Sequence, residues 1–129
     1  DTIKNNSFDK LSREEIGIKK AEMCLELNRK GKIVLVSGIA HKKKGRNDIR
    51  NMMDNYFEVY LDCDVVECAK RDFKGHYDKA FSGELANFIG VSEPYEESDE
   101  CDLILHTGVE SINACSELLL RKIKQVISI

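Results

Sequence analysis

A parallel α/β sheet flanked by helices is the fold class that the sequence predicts, and two patterns carry it. Short apolar runs rich in β-branched residues alternate with longer segments of helical spacing, the order from which strand-helix-strand units with right-handed crossovers are built. Only three such runs occur in the 129 residues, few for a sheet of this kind, so the sheet reads as incomplete. A single proline and the lack of any low-complexity tract leave nothing to mark a linker, and residues 1–129 read as one domain.

Each element has a local reason. Ser12-Arg13-Glu14-Glu15 spells a capping box, in which the Ser12 hydroxyl accepts from the Glu15 amide and the Glu15 carboxylate returns to Ser12. A helix is therefore expected from about Arg13 to Lys30, with Ile16, Met23 and Leu27 on its buried side and Gly31 as its stop. Lys32-Ile33-Val34-Leu35-Val36-Ser37 is a continuous apolar run, as expected for a strand covered on both faces. A loop from Gly38 to Gly45 and a short helix around Arg46 to Met53 lead to a second strand, Tyr56 to Asp62. Asp64-Val65-Val66-Glu67 repeats the capping-box logic and starts a helix to about Arg71. Beyond it, one or two short helices are expected, broken at Gly83 and Gly90. After an acidic turn, Leu103-Ile104-Leu105-His106 predicts a third strand. The last helix, from about Ser111 to Val126, carries Ile112, Cys115, Leu119, Ile123 and Val126 at helical spacing.

Composition narrows the function classes. A formal charge of −3 gives no reason to expect a nucleic-acid or membrane surface, so any cationic site must be local. The five cysteines are odd in number, scattered and never in a Cys-x-x-Cys pair, which suits free thiols in a reducing cytoplasm better than disulfides or zinc. His41, His76 and His106 share no metal-ligand spacing, and no protein-borne metal site is expected. No run approaches the length needed to cross a bilayer, and the start, Asp1-Thr2-Ile3-Lys4-Asn5-Asn6, has no signal-peptide layout. A cytoplasmic protein is the expectation.

The most informative stretch is Arg71-Asp72-Phe73-Lys74-Gly75-His76-Tyr77-Asp78-Lys79-Ala80, followed by Gly83-Glu84, Phe88, Gly90 and Pro94-Tyr95-Glu96. It packs cations, a flat aromatic ring and turn glycines into one segment after a strand and helix, the equipment for gripping a nucleotide with an anionic tail. Its order and spacing resemble the substrate lid of the adenylylsulfate (APS) kinase family, whose pattern reads R-D-x-K-G-x-Y-x-K-A-x-x-G-E-I-x-x-F-T-G-I-x-x-P-Y-E. A weaker likeness runs along the whole chain. The resemblance implies a P-loop kinase fold, a three-layer parallel sheet with flanking helices and a helical lid over about 72–97. It also implies the activity: ATP, with Mg²⁺, phosphorylates the ribose 3′-hydroxyl of APS to give PAPS and ADP, a step of sulfate activation. Asp1-Thr2-Ile3-Lys4 looks like the tail of a family motif, Asp-Gly-Asp followed by Asn-x-Arg, with Lys4 in place of arginine. No glycine-rich loop with a Lys-Ser or Lys-Thr pair occurs in these residues. The ATP-binding loop is therefore expected upstream of Asp1, and these residues alone are expected not to turn over ATP.

By the same resemblance Asp1 accepts the proton of the attacking hydroxyl, a solvated terminal carboxylate being the alternative. Phe8 and Phe88 sandwich the adenine of APS, with core packing the alternative for Phe8. Arg13 and Lys74 meet the phosphosulfate, Arg13 as a bidentate clamp and Lys74 as a movable point charge. Ile39 is a further substrate contact. Lys4, Lys43, Arg46 and Arg71 are candidates for phosphate or lid contacts, whereas Lys79 reads as lid surface and Asp72 as a turn former.

The loop from Ile39 to Arg50 departs most from the family, which has I-S-P-Y-R-x-x-R-D-x-x-R there. Its serine, proline and tyrosine are gone while cations stand at Lys43, Arg46 and Arg50. Ile16 falls where the family has an APS-contacting asparagine, and Ile89 replaces a threonine. These departures leave open a kinase of another nucleotide with an anionic tail, such as a cytidine diphosphate derivative. Also open are a non-catalytic nucleotide-binding domain and, from the basic run Lys42 to Arg50, an anion patch for nucleic acid. The sequence is silent on oligomeric state, a homodimer included.

Overall fold

The computed structural model describes residues 10–127, with side chains from 13 onward. The described elements run α1 (Lys10–Arg29), α2 (Lys43–Met52), β1 (Val59–Asp62), α3 (Val65–Lys70), α4 (His76–Phe81), β2 (Leu103–His106) and α5 (Ile112–Val126). The chain divides into two compact units. One holds the residues up to Tyr56 together with Pro94–Glu97, and the other holds Phe57–Glu93 and the residues from Ser98 on.

In the first unit α1 starts at Lys10, ahead of the expected capping box, so Ser12 lies within the helix and not before it. Lysine and leucine are good helix formers, and Lys10 and Leu11 extend the helix backwards past the serine. The expected stop is where Gly31 stands, at φ +73°, in a left-handed conformation that costs glycine little. The Lys32 amide donates to the Leu27 carbonyl at 3.1 Å and the Gly31 amide to Asn28 at 2.8 Å, a Schellman closure. The buried face differs from the expected one. Ala21 is 3% exposed, whereas Met23 and Leu27 face outward. Helix α1 packs on α2, and Gly17 faces it: a Cβ added there would meet Ile49 Cδ1 at 3.8 Å, an ordinary contact.

The expected strand from Lys32 to Ser37 is absent, and α2 follows directly, beginning at Lys43 and not at Arg46. Ile33 and Val36 are exposed, and Leu35 is 83% exposed. A strand exists only where a neighbour completes its ladder. Among the described residues the one sheet contains β1 and β2 alone, and residues 32–37 have no partner in it.

The second unit is built on that sheet. β1 and β2 pair in parallel, Val59 opposite Leu103 through Asp62 opposite His106, as the alternating pattern predicts. β1 is shorter than the expected Tyr56 to Asp62. Leu103 and Leu105 point inward and Ile104 and His106 outward. The core cluster is Leu103, Leu105 and Cys115, with Phe57, Val59, Leu118 and Leu119 packed against it. Helix α5 starts as expected, its N-cap Ser111 accepting from the Ala114 amide at 3.2 Å. It turns Cys115 inward but leaves Ile112 and Val126 exposed, so its buried stripe is narrower than the spacing suggested.

Candidate functional site

In open parallel sheets, ligands gather beyond the carboxyl ends of the strands. Here that edge is formed by Asp62 and His106, which close β1 and β2 opposite each other. His106 Nδ1 lies 2.8 Å from Asp62 Oδ2. The Asp62 carbonyl accepts from Thr107 Oγ1 at 3.1 Å and from the Gly108 amide at 3.3 Å. A Cβ on Gly108 would come within 3.6 Å of the Cys63 backbone and Sγ, so the turn after β2 passes close beneath the turn after β1. Asp62 and His106 were not among the expected site residues. Their places at the ends of two predicted strands are the signal that could have found them.

Helix α3 rises from this edge. Its N-cap Asp64 accepts from the Val66 amide at 2.7 Å, one residue short of the Glu67 amide that a capping box would use. The reciprocal bond does not form either, because Glu67 turns instead toward the helix end. Glu67 Oε1 takes the Arg71 guanidinium at 2.9 Å, with Lys70 at 3.4 Å from Oε2. The Arg71 and Lys70 hydrogen bonds hold the Glu67 carboxyl below its ordinary pKa. Arg71 also donates to the Thr107 carbonyl at 2.9 Å, so this expected phosphate or lid cation is tied to α3 and to the turn after β2.

The lid follows. Asp72 forms its first turn, as expected, accepting from the Lys74 amide at 3.1 Å and the Tyr77 amide at 2.6 Å. The Tyr77 amide, and then that of Lys74, keep the Asp72 carboxyl below the usual range. Gly75, at φ +66°, admits the chain to α4. One helix forms here; past Gly83, at φ +81°, the chain runs irregularly. It then folds into a knot in which the Phe88 carbonyl accepts from the amides of Val91, Ser92 and Glu93 and the Phe88 amide donates to Ser92 Oγ at 2.9 Å. The knot presents the Phe88 ring to Tyr77, edge to face, with centroids 4.9 Å apart. Lys74 stands exposed, its Nζ 5.6 Å from the centroid of the Phe73 ring, which is itself 90% exposed. Lys74 and Phe88 thus share one lid. Cys68 lies beside Tyr77, and burial raises the pKa of both.

The remaining described candidates belong to the first unit. Arg13 lies in α1, Ile39 is exposed ahead of α2, and Lys43 opens α2. Arg46 is buried, with Nη1 on the Ala40 carbonyl at 2.7 Å and Nη2 on the Glu96 carbonyl at 2.6 Å. Its guanidinium lies 5.5 Å from the Tyr95 ring centroid. That geometry supports a structural clamp more than the expected phosphate contact. The Glu96 carboxylate takes the Lys43 amide at 2.6 Å and stands 3.6 Å from Lys42 Nζ. Lys44 pairs with Asp48 at 2.5 Å, and Arg50 lies over the Tyr56 ring. The basic run is therefore engaged within its own unit, which counts against an open anion patch for nucleic acid. Asp1, Lys4 and Phe8 lie outside the described residues.

No helix among the described residues is long and apolar enough to cross a membrane. Each of the five cysteines carries a free thiol.

Comparison with known proteins bears on the whole arrangement. The sequence matches the family described as adenylylsulphate kinase over residues 1–106. The adenylyl-sulfate kinase of a Synechococcus species is 34% identical over 122 residues, covering 94% of this chain and 69% of that protein. The corresponding enzyme of Bacillus licheniformis is 33% identical over 123 residues, covering 94% and 62%. The structure of the Mycobacterium tuberculosis APS kinase in complex with AMPPNP and APS superposes with a TM-score of 0.85 at 28% identity, covering 92% of this chain and 70% of that one. The α/β arrangement is thus that of a P-loop kinase, incomplete in the described residues, and the chain belongs to the adenylylsulphate kinase family.

Proposed function

We infer that this chain is an adenylylsulfate kinase, holding APS so that the terminal phosphoryl group of ATP passes to its ribose 3′-hydroxyl, with PAPS and ADP as products. The observation that carries this reading is the family match over residues 1–106, within which the whole lid motif lies. The solved relative of the same fold holds an ATP analogue and APS together, which supports the same pair of nucleotides here.

Phosphoryl transfer of this kind depends on positioning and charge neutralisation. Lys74, exposed at the start of the lid, meets the phosphosulfate as a movable cation, and Arg13 in α1 supplies a planar fork for the same anion. Phe88 offers a ring face to the adenine while Tyr77 packs against it, the two rings nearly perpendicular. Ile39 keeps its proposed role as a substrate contact. Asp1, Lys4 and Phe8 keep their proposed roles as proton acceptor, phosphate contact and second stacking ring.

Among the described residues no cluster of three or more His, Cys, Asp or Glu side chains is placed to hold a metal ion. The described side chains therefore do not make a magnesium cage. Mg²⁺ commonly rides on nucleotide phosphates with only one or two carboxylates, and in this proposal it arrives with ATP. The test is full-length protein incubated with ATP, Mg²⁺ and APS. PAPS should accumulate, and phosphorylation of a different nucleotide with none of APS would reject the assignment.

A further inference from the structure

We propose that Arg46 and Glu96 are positioning residues for the acceptor nucleotide, joined in a latch that fixes the loop carrying Ile39. The proposal rests on the reading of that loop as an APS-contacting surface. It starts from an observation about the lid motif: its end, Pro94-Tyr95-Glu96, belongs to the first unit, while the motif up to Glu93 belongs to the second. Tyr95 and Glu96 are a fixed post against α2.

Helix α2 needs such a post. Its N-cap, Lys42, makes no side-chain capping bond. Glu96 supplies one from 53 residues away, its Oε2 accepting from the Lys43 amide at 2.6 Å. The Glu96 amide donates to the His41 carbonyl at 2.9 Å, so backbone and side chain both grip the entry to the helix. Arg46 closes the latch from the other side. One arm of its guanidinium holds the Glu96 carbonyl and the other the Ala40 carbonyl, with the Tyr95 ring alongside.

Ala40 is the part under tension. At φ +43° it sits in the left-handed region, which a residue with a Cβ adopts only when its surroundings hold it there. The bond from Arg46 Nη1, at 2.7 Å, pins its carbonyl. Ala40 follows Ile39 directly, so the latch sets the direction in which Ile39 leaves the backbone. A lysine at position 46 keeps the positive charge but lacks the planar fork that spans two carbonyls. A role in phosphate attraction and a role in the latch therefore separate cleanly.

The test uses the full-length enzyme with Arg46→Lys, Glu96→Ala and the milder Glu96→Gln, which keeps an acceptor oxygen. Two readouts are taken: steady-state constants for APS and ATP, and amide hydrogen exchange at Lys43 to Arg46. The latch predicts that Arg46→Lys and Glu96→Ala each raise the KM for APS about tenfold, the size of one lost charge-assisted bond, with kcat and the KM for ATP within about twofold. Glu96→Gln should recover part of that loss. Exchange at Lys43 to Arg46 should speed up in both strong variants. An unchanged KM for APS in Arg46→Lys would overturn the proposal, as would unchanged exchange in Glu96→Ala. Should the wild-type enzyme leave APS untouched, the assigned activity falls, and the exchange arm alone decides the latch: protection lost in both variants upholds it and protection kept overturns it.

Discussion

Two cation-rich stretches of this chain look alike on paper and fold into opposite arrangements. From Lys42 to Arg50 two cations turn onto a distant segment, Arg46 onto the Ala40 and Glu96 carbonyls and Lys42 toward the Glu96 carboxylate, while Lys44 pairs with Asp48 on the exposed side of α2. In the lid, Arg71 is tied to Glu67 and Thr107, but Lys74 stands out in solvent with its ammonium beside the Phe73 ring. Charge alone does not mark a ligand site. The difference lies in whether a carboxylate or carbonyl from a distant segment has already claimed the cation.

The largest effect should come from the inward-turned group. Arg46→Ala removes a buried guanidinium and strips two carbonyls of their donor, which should cost about 3 kcal/mol in denaturant unfolding; a loss below about 1 kcal/mol would erase the contrast. Lys74→Ala should behave in the opposite way. Its KM for APS should rise about tenfold, equivalent to about 1.4 kcal/mol of binding, while unfolding stays within about 0.5 kcal/mol of wild type. Next is Asp64→Ala, which takes the cap from the helix that carries Arg71 and should lower stability by about 1 kcal/mol without altering exchange in α2. Ala40→Gly sharpens the contrast further, since glycine accepts the left-handed φ without cost; a gain of up to about 1 kcal/mol is expected in thermal unfolding.

The smallest effect is with pH. Glu96 is held below the ordinary carboxylate range chiefly by the Lys43 amide, with the Lys42 and Arg46 charges adding, and His41 packs alongside through its carbonyl. Glu67 and Asp72 are lowered too, by Arg71 and by the Tyr77 amide respectively. A carboxylate with a depressed folded pKa stabilises the fold above its unfolded value and loses that contribution as pH falls through the folded one. Stability should thus hold from neutral pH down to about 5 and decline below about 4. Replacing Glu96 with glutamine should flatten the part of that decline which belongs to the first unit.

What the sequence disclosed and what it hid follow one physical rule. Gly31 as a helix stop, Asp64 and Ser111 at helix starts and Asp72 as a turn former all act within a few residues, and the structure shows each of them. Ile33-Val34-Leu35-Val36 and Leu103-Ile104-Leu105 carry the same strand signal. Only the second has a ladder partner among the described residues, and pairing cannot be read from the run itself. The buried side of α1 differs from the expected one for a related reason: it includes Ala21, and an alanine adds little to an apolar spacing read from larger residues. At the candidate site, Lys74 and Phe88 could be named from the lid motif. Glu96 could not be seen as a cap for Lys43, nor Asp62 as a partner of His106, since each pair is separated by more than forty positions.

The most direct test of the account is transfer of labelled γ-phosphate from ATP by the full-length enzyme to APS, run beside adenosine 5′-monophosphate as an acceptor lacking the sulfate. The account predicts label at the 3′-position of APS with saturation that weakens in Lys74→Ala. Equal labelling of both acceptors, or label on neither while another nucleotide is phosphorylated, would contradict it.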